Sequence, residues 1–436
     1  MSRVARIKLV YIGGGSTRAP GTMASFIHHR GADFDGSAVV LVDLVPERLD
    51  LVRRLAERMA RARGLDISIT ATTDRRAALD SCDAVLTSFR PGGFEARALD
   101  ERISNAHGLI GQETQGPGGF FMALRAVHVM KEIAQDIAAV APGARVFNYT
   151  NPVNIVAEAW THHTDLPLVS LCEGPTYFVR ELAQAAGLDA ERISARMVGL
   201  NHACWSVEHR YDGDDLMPHV HAAWERRRND ESVPIRDRRL LRLATAMDAI
   251  PASYFLYYYF RDEILAEQLA APTTRAEDIL SWVSGYWQHY EEQAESDDPV
   301  LDPARSRGGI HELELAIDAM HAVFNDTGEE LPVNVPNRGA LPGFPDDLVV
   351  EVTGRVSARW IEPLPQPPLP RHVRGLVEML AEYQALAAEA AWSGTRRDAI
   401  RALAANPLVL SVDKAEAVYD DLARAHAAYL PERLLR

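Results

Sequence analysis

Cysteine is scarce: Cys82, Cys172 and Cys204 are the only three in 436 residues. That excludes a disulfide framework and leaves each thiol as packing, catalyst or metal ligand. Long apolar runs are also missing. No segment approaches about 18 uninterrupted apolar residues, so no membrane-spanning helix is expected. The apolar run in "MSRVARIKLVYIGGG" is short and enters a glycine turn with no cleavage site after it. It reads as a strand and not as a secretion signal. Basic residues are outnumbered, 46 Lys and Arg against 61 Asp and Glu, for a net charge of −15. A general nucleic-acid binder would carry the opposite balance, although a few local arginines can still hold an anionic substrate. The expectation is a cytoplasmic protein in a reducing setting, with neither nucleic acid nor membrane as partner.

Apolar residues make up 47% and charged residues 25%, as in an ordinary globular protein. The length points to two domains, and there is no internal repeat. Short runs rich in Val, Ile and Leu recur at 7–12, 38–42, 67–71, 84–88, 145–149 and 167–171. They lack polar alternation, as parallel strands buried on both faces do. Helical patterns lie between them. In "LRAVHVMKEIAQDIAAVAPG", Val129, Ile133 and Ile137 repeat at i+4 until Pro142-Gly143 stops the helix. Such strand–helix units predict an α/β, Rossmann-type doubly wound parallel sheet over 1–195. Residues 196–436 read as a second, mainly helical α+β domain. Its long patterns lie near 235–270, 275–295, 310–325 and 373–436, and a Pro-rich connector, "EPLPQPPLPRH", runs over 362–372.

Gly13 and Gly15 of "VYIGGGST" fit the first two glycines of a dinucleotide fingerprint, while Arg18 stands at the third. The first glycine permits a tight turn. The second lets backbone approach a pyrophosphate at a helix N-terminus. Ser16 and Thr17 offer hydroxyl donors. Asp43, at the end of the second strand, suits a ribose hydroxyl and favours NAD over NADP, because it would repel a 2′-phosphate.

Three stretches are dense in reactive types: "NYTNPVN" (148–154), "LCEGPT" (171–176) and "GLNHACW" (199–205). Cys172 and Glu173 fall just past a predicted strand, where ligands bind in doubly wound sheets. A thiolate and the imidazole of His202 could share one metal, with substrate oxygens completing an open shell. The residues alone do not choose between Cys172 and Cys204 as the ligand. In "PASYFLYYYFRDE", the tyrosines Tyr254, Tyr257, Tyr258 and Tyr259 cannot all share one helix face. One phenol beside a cation could act as a base.

Together these segments resemble the family-four glycoside hydrolases, the NAD- and metal-dependent glycosidases. The likeness runs nearly end to end, through "KLVYIGGGSTRAPG", "FRPGGFEARALDERI", "GLIGQETQGPGGFFMALRAV", "NYTNPVNIV", "LCEGP", "GLNHACW", "YFLYYY", "VNVPNRGALPGFPDD" and "NPLV". It implies a fold like lactate and malate dehydrogenases and a homodimer or homotetramer. It also implies a mechanism outside the usual two-carboxylate scheme. NAD⁺ oxidises sugar C3, a base removes the C2 proton, a metal, usually Mn²⁺, stabilises the enediolate, and the aglycone leaves C1. Water then adds and the hydride returns. By position, the resemblance assigns Cys172 and His202 to the metal and Tyr254 to the C2 base. It assigns Asn151 and Asn201 to sugar hydroxyls, Arg90 and Arg275 to the substrate, and Glu113 to orienting the site or contacting ribose.

The residue after the ligand cysteine differs between the family's substrate groups, and here it is Glu173. A carboxyl there can protonate the leaving oxygen, bind the metal or only hydrogen-bond. "FRPGG" and "VNVPNRG" look most like the 6-phospho-β-glucosidase branch, so a phosphorylated glucoside is the leading substrate. Alternatives are a 6-phospho-α-glycoside or an unphosphorylated or uronic-acid sugar. Rivals of another class are an NAD-dependent 2-hydroxy acid dehydrogenase, which would accumulate NADH, and a non-catalytic NAD sensor, which would lack the metal ligands and base.

Overall fold

The computed structural model describes residues 4–307 and 313–436. Six parallel strands form where expected, to within a residue at each end: β1 (Lys8–Ile12), β2 (Ala38–Val42), β3 (Ser68–Thr72), β4 (Ala84–Thr87), β5 (Arg145–Asn148) and β6 (Leu168–Ser170). Their order is β3-β2-β1-β4-β5-β6. Alternate residues of β1 serve two different cores. Val10 and Ile12 pack with Phe120, Phe121 and Trp160 on one face, and Leu9 and Tyr11 with Phe26, Leu41 and Phe147 on the other. Two apolar environments leave no position for a polar residue, hence the unbroken hydrophobic runs. The chain moves outward from β1 to β2 and β3, then crosses back to β4. The glycine loop after β1 sits at that switch point.

The second half contributes more strand than its sequence pattern suggested. It adds β7 (Ile193–Leu200), β8 (Ala203–Tyr211), β9 (Asp214–Asp215), β10 (Glu329–Pro336), β11 (Val349–Ser357) and β12 (Trp360–Pro363). They extend the same sheet in the order β6-β10-β11-β7-β8-β9, with β12 on β11 and every added pairing antiparallel. Two of the joins are a single residue pair wide: Asn334 with Ser170, and Glu351 with Gly199.

The helical expectations hold with breaks. The 235–270 pattern divides into helices Ile235–Met247 and Arg261–Ala270, separated by the short turns that carry the tyrosines. Thr274 and Glu277 form a capping box on helix Arg275–Ala294. Helix Glu314–Asn325 answers the 310–325 pattern, whose first positions lie outside the described residues. Helices Arg371–Trp392, Arg396–Ala405 and Val412–Ala425 follow. The Pro-rich stretch is divided: Glu362 and Pro363 close β12, and Arg371 and His372 open the next helix. Among the described residues, no helix is long and apolar enough to cross a membrane.

One buried ion cluster braces the loop that precedes the long helix. Helices Gly93–Ala106 and Gly116–Val140 flank residues 107–115. Arg125 on the second donates to both carboxylate oxygens of Asp100 on the first, at 3.0 and 2.6 Å. His426, from the C-terminal segment, lies 2.8 Å from the same carboxylate. All three side chains are fully buried. Asp100→Ala would strand the Arg125 cation in a dry core, which costs about 3–5 kcal/mol. Thermal unfolding should show a correspondingly large loss, and an unchanged Tm would remove this brace from the account.

Candidate active site

The glycine loop is shaped by close packing. Gly13 has φ +100, and a Cβ there would lie 2.1 Å from the Ser88 carbonyl oxygen. A Cβ on Gly15 would press against the Asp43 side chain at 2.9 Å. Asp43 accepts the Gly15 N–H at 2.9 Å and the Leu44 N–H at 2.7 Å, so the expected ribose-binding carboxylate also fastens the loop. Ser16 Oγ is buried without a hydrogen-bond partner, and Thr17 is buried with its carbonyl turned to the Tyr290 hydroxyl. An orphan hydroxyl in a glycine turn ahead of helix Ala19–Arg30 fits an incoming phosphate oxygen.

Cys172 lies just beyond β6. His202 is the second residue of the two-residue turn between β7 and β8, at φ +61. A non-glycine residue in this region is uncommon, although histidine is enriched there, and it marks a turn worth inspecting for function. The turn brings His202 Nε2 to 3.6 Å from Cys172 Sγ. Ligand distances of about 2.3 Å for sulfur and 2.1 Å for nitrogen at a tetrahedral angle give a separation of about 3.6 Å. The pair therefore fits one divalent cation, and among the described residues no third His, Cys, Asp or Glu joins it. The shell would stay open to substrate. Burial pushes the Cys172 thiol up to about 12 and His202 down to about 4. The imidazole is thus a neutral ligand at neutral pH, and the thiol must release its proton when a cation binds. Cys204, the alternative ligand, is fully buried beside Glu351.

Tyr254 stacks on the His202 ring, centroids 3.8 Å apart and ring planes nearly parallel at 6°. Burial raises its phenol well above the ordinary value, and the charges of Glu113 and Cys172 add to the rise. Tyr258 instead donates to Gln115, and Tyr259 packs on Trp205 and Phe255.

Glu113, expected to orient the site or contact ribose, is the hub of the site. Its carboxylate meets Arg90 at 3.1 Å, pairs with Arg97, and accepts the Asn151 side-chain N–H at 3.1 Å. Burial works to raise its pKa, but Arg90, Arg97, Arg18 and Arg307 outweigh this and hold it well below the carboxylate range. Arg97 escaped the sequence reading because "FEARALDER" looks like any charged helix face. Glu351 was missed as well. It accepts the side-chain N–H groups of Asn201 (2.9 Å) and Asn334 (3.1 Å) at the join of β11 and β7. Two expected residues lie differently. Glu173 is exposed, and its Oε1 accepts the Tyr149 hydroxyl at 2.8 Å and the Leu315 N–H at 3.1 Å. Arg275 stands apart from the cluster, exposed and stacked over Trp282 at 5.0 Å.

A dinucleotide-type loop, an open thiol–imidazole pair and a stacked phenol at one end of the sheet define an enzyme site. Comparison with known proteins identifies the family. Residues 8–188 match the family 4 glycosyl hydrolase model, and residues 197–409 match the family's C-terminal domain. The chain belongs to glycosyl hydrolase family 4. It is 35% identical over 434 residues to a probable 6-phospho-beta-glucosidase of Bacillus subtilis (strain 168), covering 98% of each chain. Its fold matches a 6-phospho-alpha-glucosidase from gut microorganisms, solved with NAD and glucose-6-phosphate, at TM-score 0.84 and 25% identity, over 98% of this chain and 99% of that one. A malate dehydrogenase of Plasmodium falciparum shares the fold at TM-score 0.55 and 12% identity, over 89% of this chain and 100% of the other, in keeping with the dehydrogenase-like architecture.

Burial pushes the Glu351 carboxyl from 4.5 up to about 7, against the opposing pull of Asn201 and Asn334. The folded protein thus holds an extra proton between these values. Stability should be unaffected by this group below about pH 4.5 and should fall as pH rises toward 7, by about 3 kcal/mol in full. In metal-free protein, Glu351→Gln should gain Tm over the parent progressively from pH 5 to pH 8. A difference independent of pH would contradict this account of the carboxyl.

Proposed function

We propose that the chain hydrolyses a 6-phospho-glucoside, the β anomer favoured, by redox-assisted elimination. The observation that carries this reading is the 3.6 Å thiol–imidazole pair with Tyr254 stacked on the imidazole, at the same end of the parallel strands as the glycine loop. When bound, NAD would accept and return hydride at sugar C3, and a divalent cation such as Mn²⁺ would supply positive charge that acidifies the C2 proton.

Gly13, Gly15, Ser16, Thr17 and Asp43 would hold the dinucleotide, and Cys172 and His202 the cation. Tyr254 would take the C2 proton as the phenolate, a form that burial disfavours and that a cation held by Cys172 and His202 would favour. Asn151 and Asn201, each fixed through one amide N–H by a buried glutamate, present their remaining polar atoms to sugar hydroxyls. Arg90 and Arg97 provide guanidinium charge for a 6-phosphate. Glu173 protonates the leaving oxygen, and its exposure lets it regain a proton from solvent. A phosphorylated substrate and three unpaired thiols suit a cytoplasmic setting. The carboxyl at 173 and the likeness to the 6-phospho-alpha-glucosidase support an α-linked substrate as second reading.

Aryl α- and β-glucosides, with and without a 6-phosphate, should be cleaved only when NAD⁺ and Mn²⁺ are both present and the phosphate is in place. NADH should not accumulate. Steady NADH formation would instead make the chain a dehydrogenase. Tyr254→Phe should lower turnover about 10²–10⁴-fold while NAD⁺ and Mn²⁺ still bind; unchanged turnover would remove the phenol as base. Glu173→Gln should slow substrates with poor leaving groups more than activated aryl glycosides, and equal losses would end its role as acid.

A further inference from the structure

We propose that Gln112 and Thr114 are positioning residues that lock His202 as its Nδ1–H tautomer, so that the Nε2 lone pair faces Cys172. The inference rests on the proposed cation site, and it gives a purpose to "GQETQG", the segment whose glutamine and threonine have no other part in the reaction.

Two backbone donors orient the Gln112 side chain. Gln112 Oε1 receives the backbone N–H groups of Thr114 at 2.6 Å and Gln115 at 2.8 Å. A backbone N–H can only donate, so the oxygen end of the Gln112 amide must face them. The Thr114 hydroxyl lies 3.1 Å from that same oxygen. This contact is a hydrogen bond, and of the two oxygens only the hydroxyl has a proton to donate. Thr114 Oγ1 therefore gives its single hydrogen to Gln112 and is left as an acceptor. It is also an acceptor for Gln115 Nε2 at 3.3 Å. The remaining contact of Thr114 Oγ1 is His202 Nδ1 at 2.9 Å, and this nitrogen must then carry the proton. A neutral imidazole has one N–H and one lone pair. The lone pair falls on Nε2, the atom 3.6 Å from Cys172 Sγ. The opposite tautomer would oppose lone pairs at the Thr114–Gln112 contact and turn an N–H toward the thiol.

Fixing the tautomer removes a reorganisation that a cation would otherwise have to impose. Loss of such outer partners typically weakens metal binding 10–100-fold. The test uses full-length, metal-free protein labelled with ¹⁵N-histidine, with the His202 signals assigned by their absence in His202→Gln. The parent and Thr114→Ser, which keeps the hydroxyl, should show a pyrrole-type Nδ1 and a pyridine-type Nε2. Thr114→Val and Gln112→Met should lose that bias. Titration with Co²⁺, followed by the thiolate-to-metal absorption band, should give a Kd 10–100-fold weaker for Thr114→Val and within threefold of the parent for Thr114→Ser, about the spread expected of any conservative change. A parent protein with the proton on Nε2 overturns the proposal, as does a Thr114→Val protein with parental tautomer and parental Co²⁺ affinity. If the parent shows the Nδ1–H tautomer but no Co²⁺ band that Cys172→Ser abolishes, the cation site fails while the tautomer lock stands.

Discussion

Two single-residue joins in the sheet, one where the antiparallel strands meet the parallel ones and one within the antiparallel part, decide where the site can form. At one join, Asn334 pairs with Ser170, two residues before the thiol. At the other, Glu351 pairs with Gly199, three residues before the imidazole. Thiol and imidazole are thus carried by β6 and β7, strands that are not paired with each other and are held in place through β10 and β11 by these narrow joins. A longer pairing would zip the strand ends closed and leave no room for a ligand. A missing one would let the two halves move apart. The buried carboxylate of Glu351 marks this compromise. It is an expensive group to bury, and the amides of Asn334 and Asn201, one from each side, make it tolerable.

The first half of the fold was legible because its strands are buried on both faces. Val10, Val85 and Val146 announce themselves without reference to any partner. The strands of the second half depend on context. Strand β10 carries Pro332 and Pro336, which argue against a central strand, and β7 and β8 carry Arg196, Glu208 and Arg210 toward solvent. Strand β11 did carry a signal in Val349, Val350, Val352 and Val356, with Glu351 interrupting it. That interruption is the residue on which the join turns.

At the site, chemistry was easier to read than position. Cys172, His202 and Tyr254 are rare residue types in dense motifs, and the fold brings them within contact of one another. The acidic and basic residues were harder, because a charge pattern does not state which charges face inward. Glu113 and Arg97 sit among ordinary helix and loop charges, yet they pair with each other inside the site. Arg275 has the right type and the wrong surroundings: an N-terminal helix position, solvent and a tryptophan ring.

Three glutamates surround the reaction space, and their environments separate their roles. Glu113 is held ionised by the arginines around it, so it has no proton to give, and its fixed negative charge keeps those guanidiniums oriented when an anionic substrate arrives. Glu351 can hold a proton near neutral pH, but it lies in a closed core with Oε1 occupied by two amides, and a proton there has no route to a leaving group. Glu173 alone meets solvent. Its extra methylene relative to aspartate lets it reach the Tyr149 hydroxyl and the first turn of helix Glu314–Asn325. In the proposed acid role it would have to exchange such contacts for one to the glycosidic oxygen, so that role depends on where the side chain is placed. In the proposed reaction, the identity of the side chain after Cys172 can then tune which leaving group is reached without disturbing the thiol, the imidazole or the phenol.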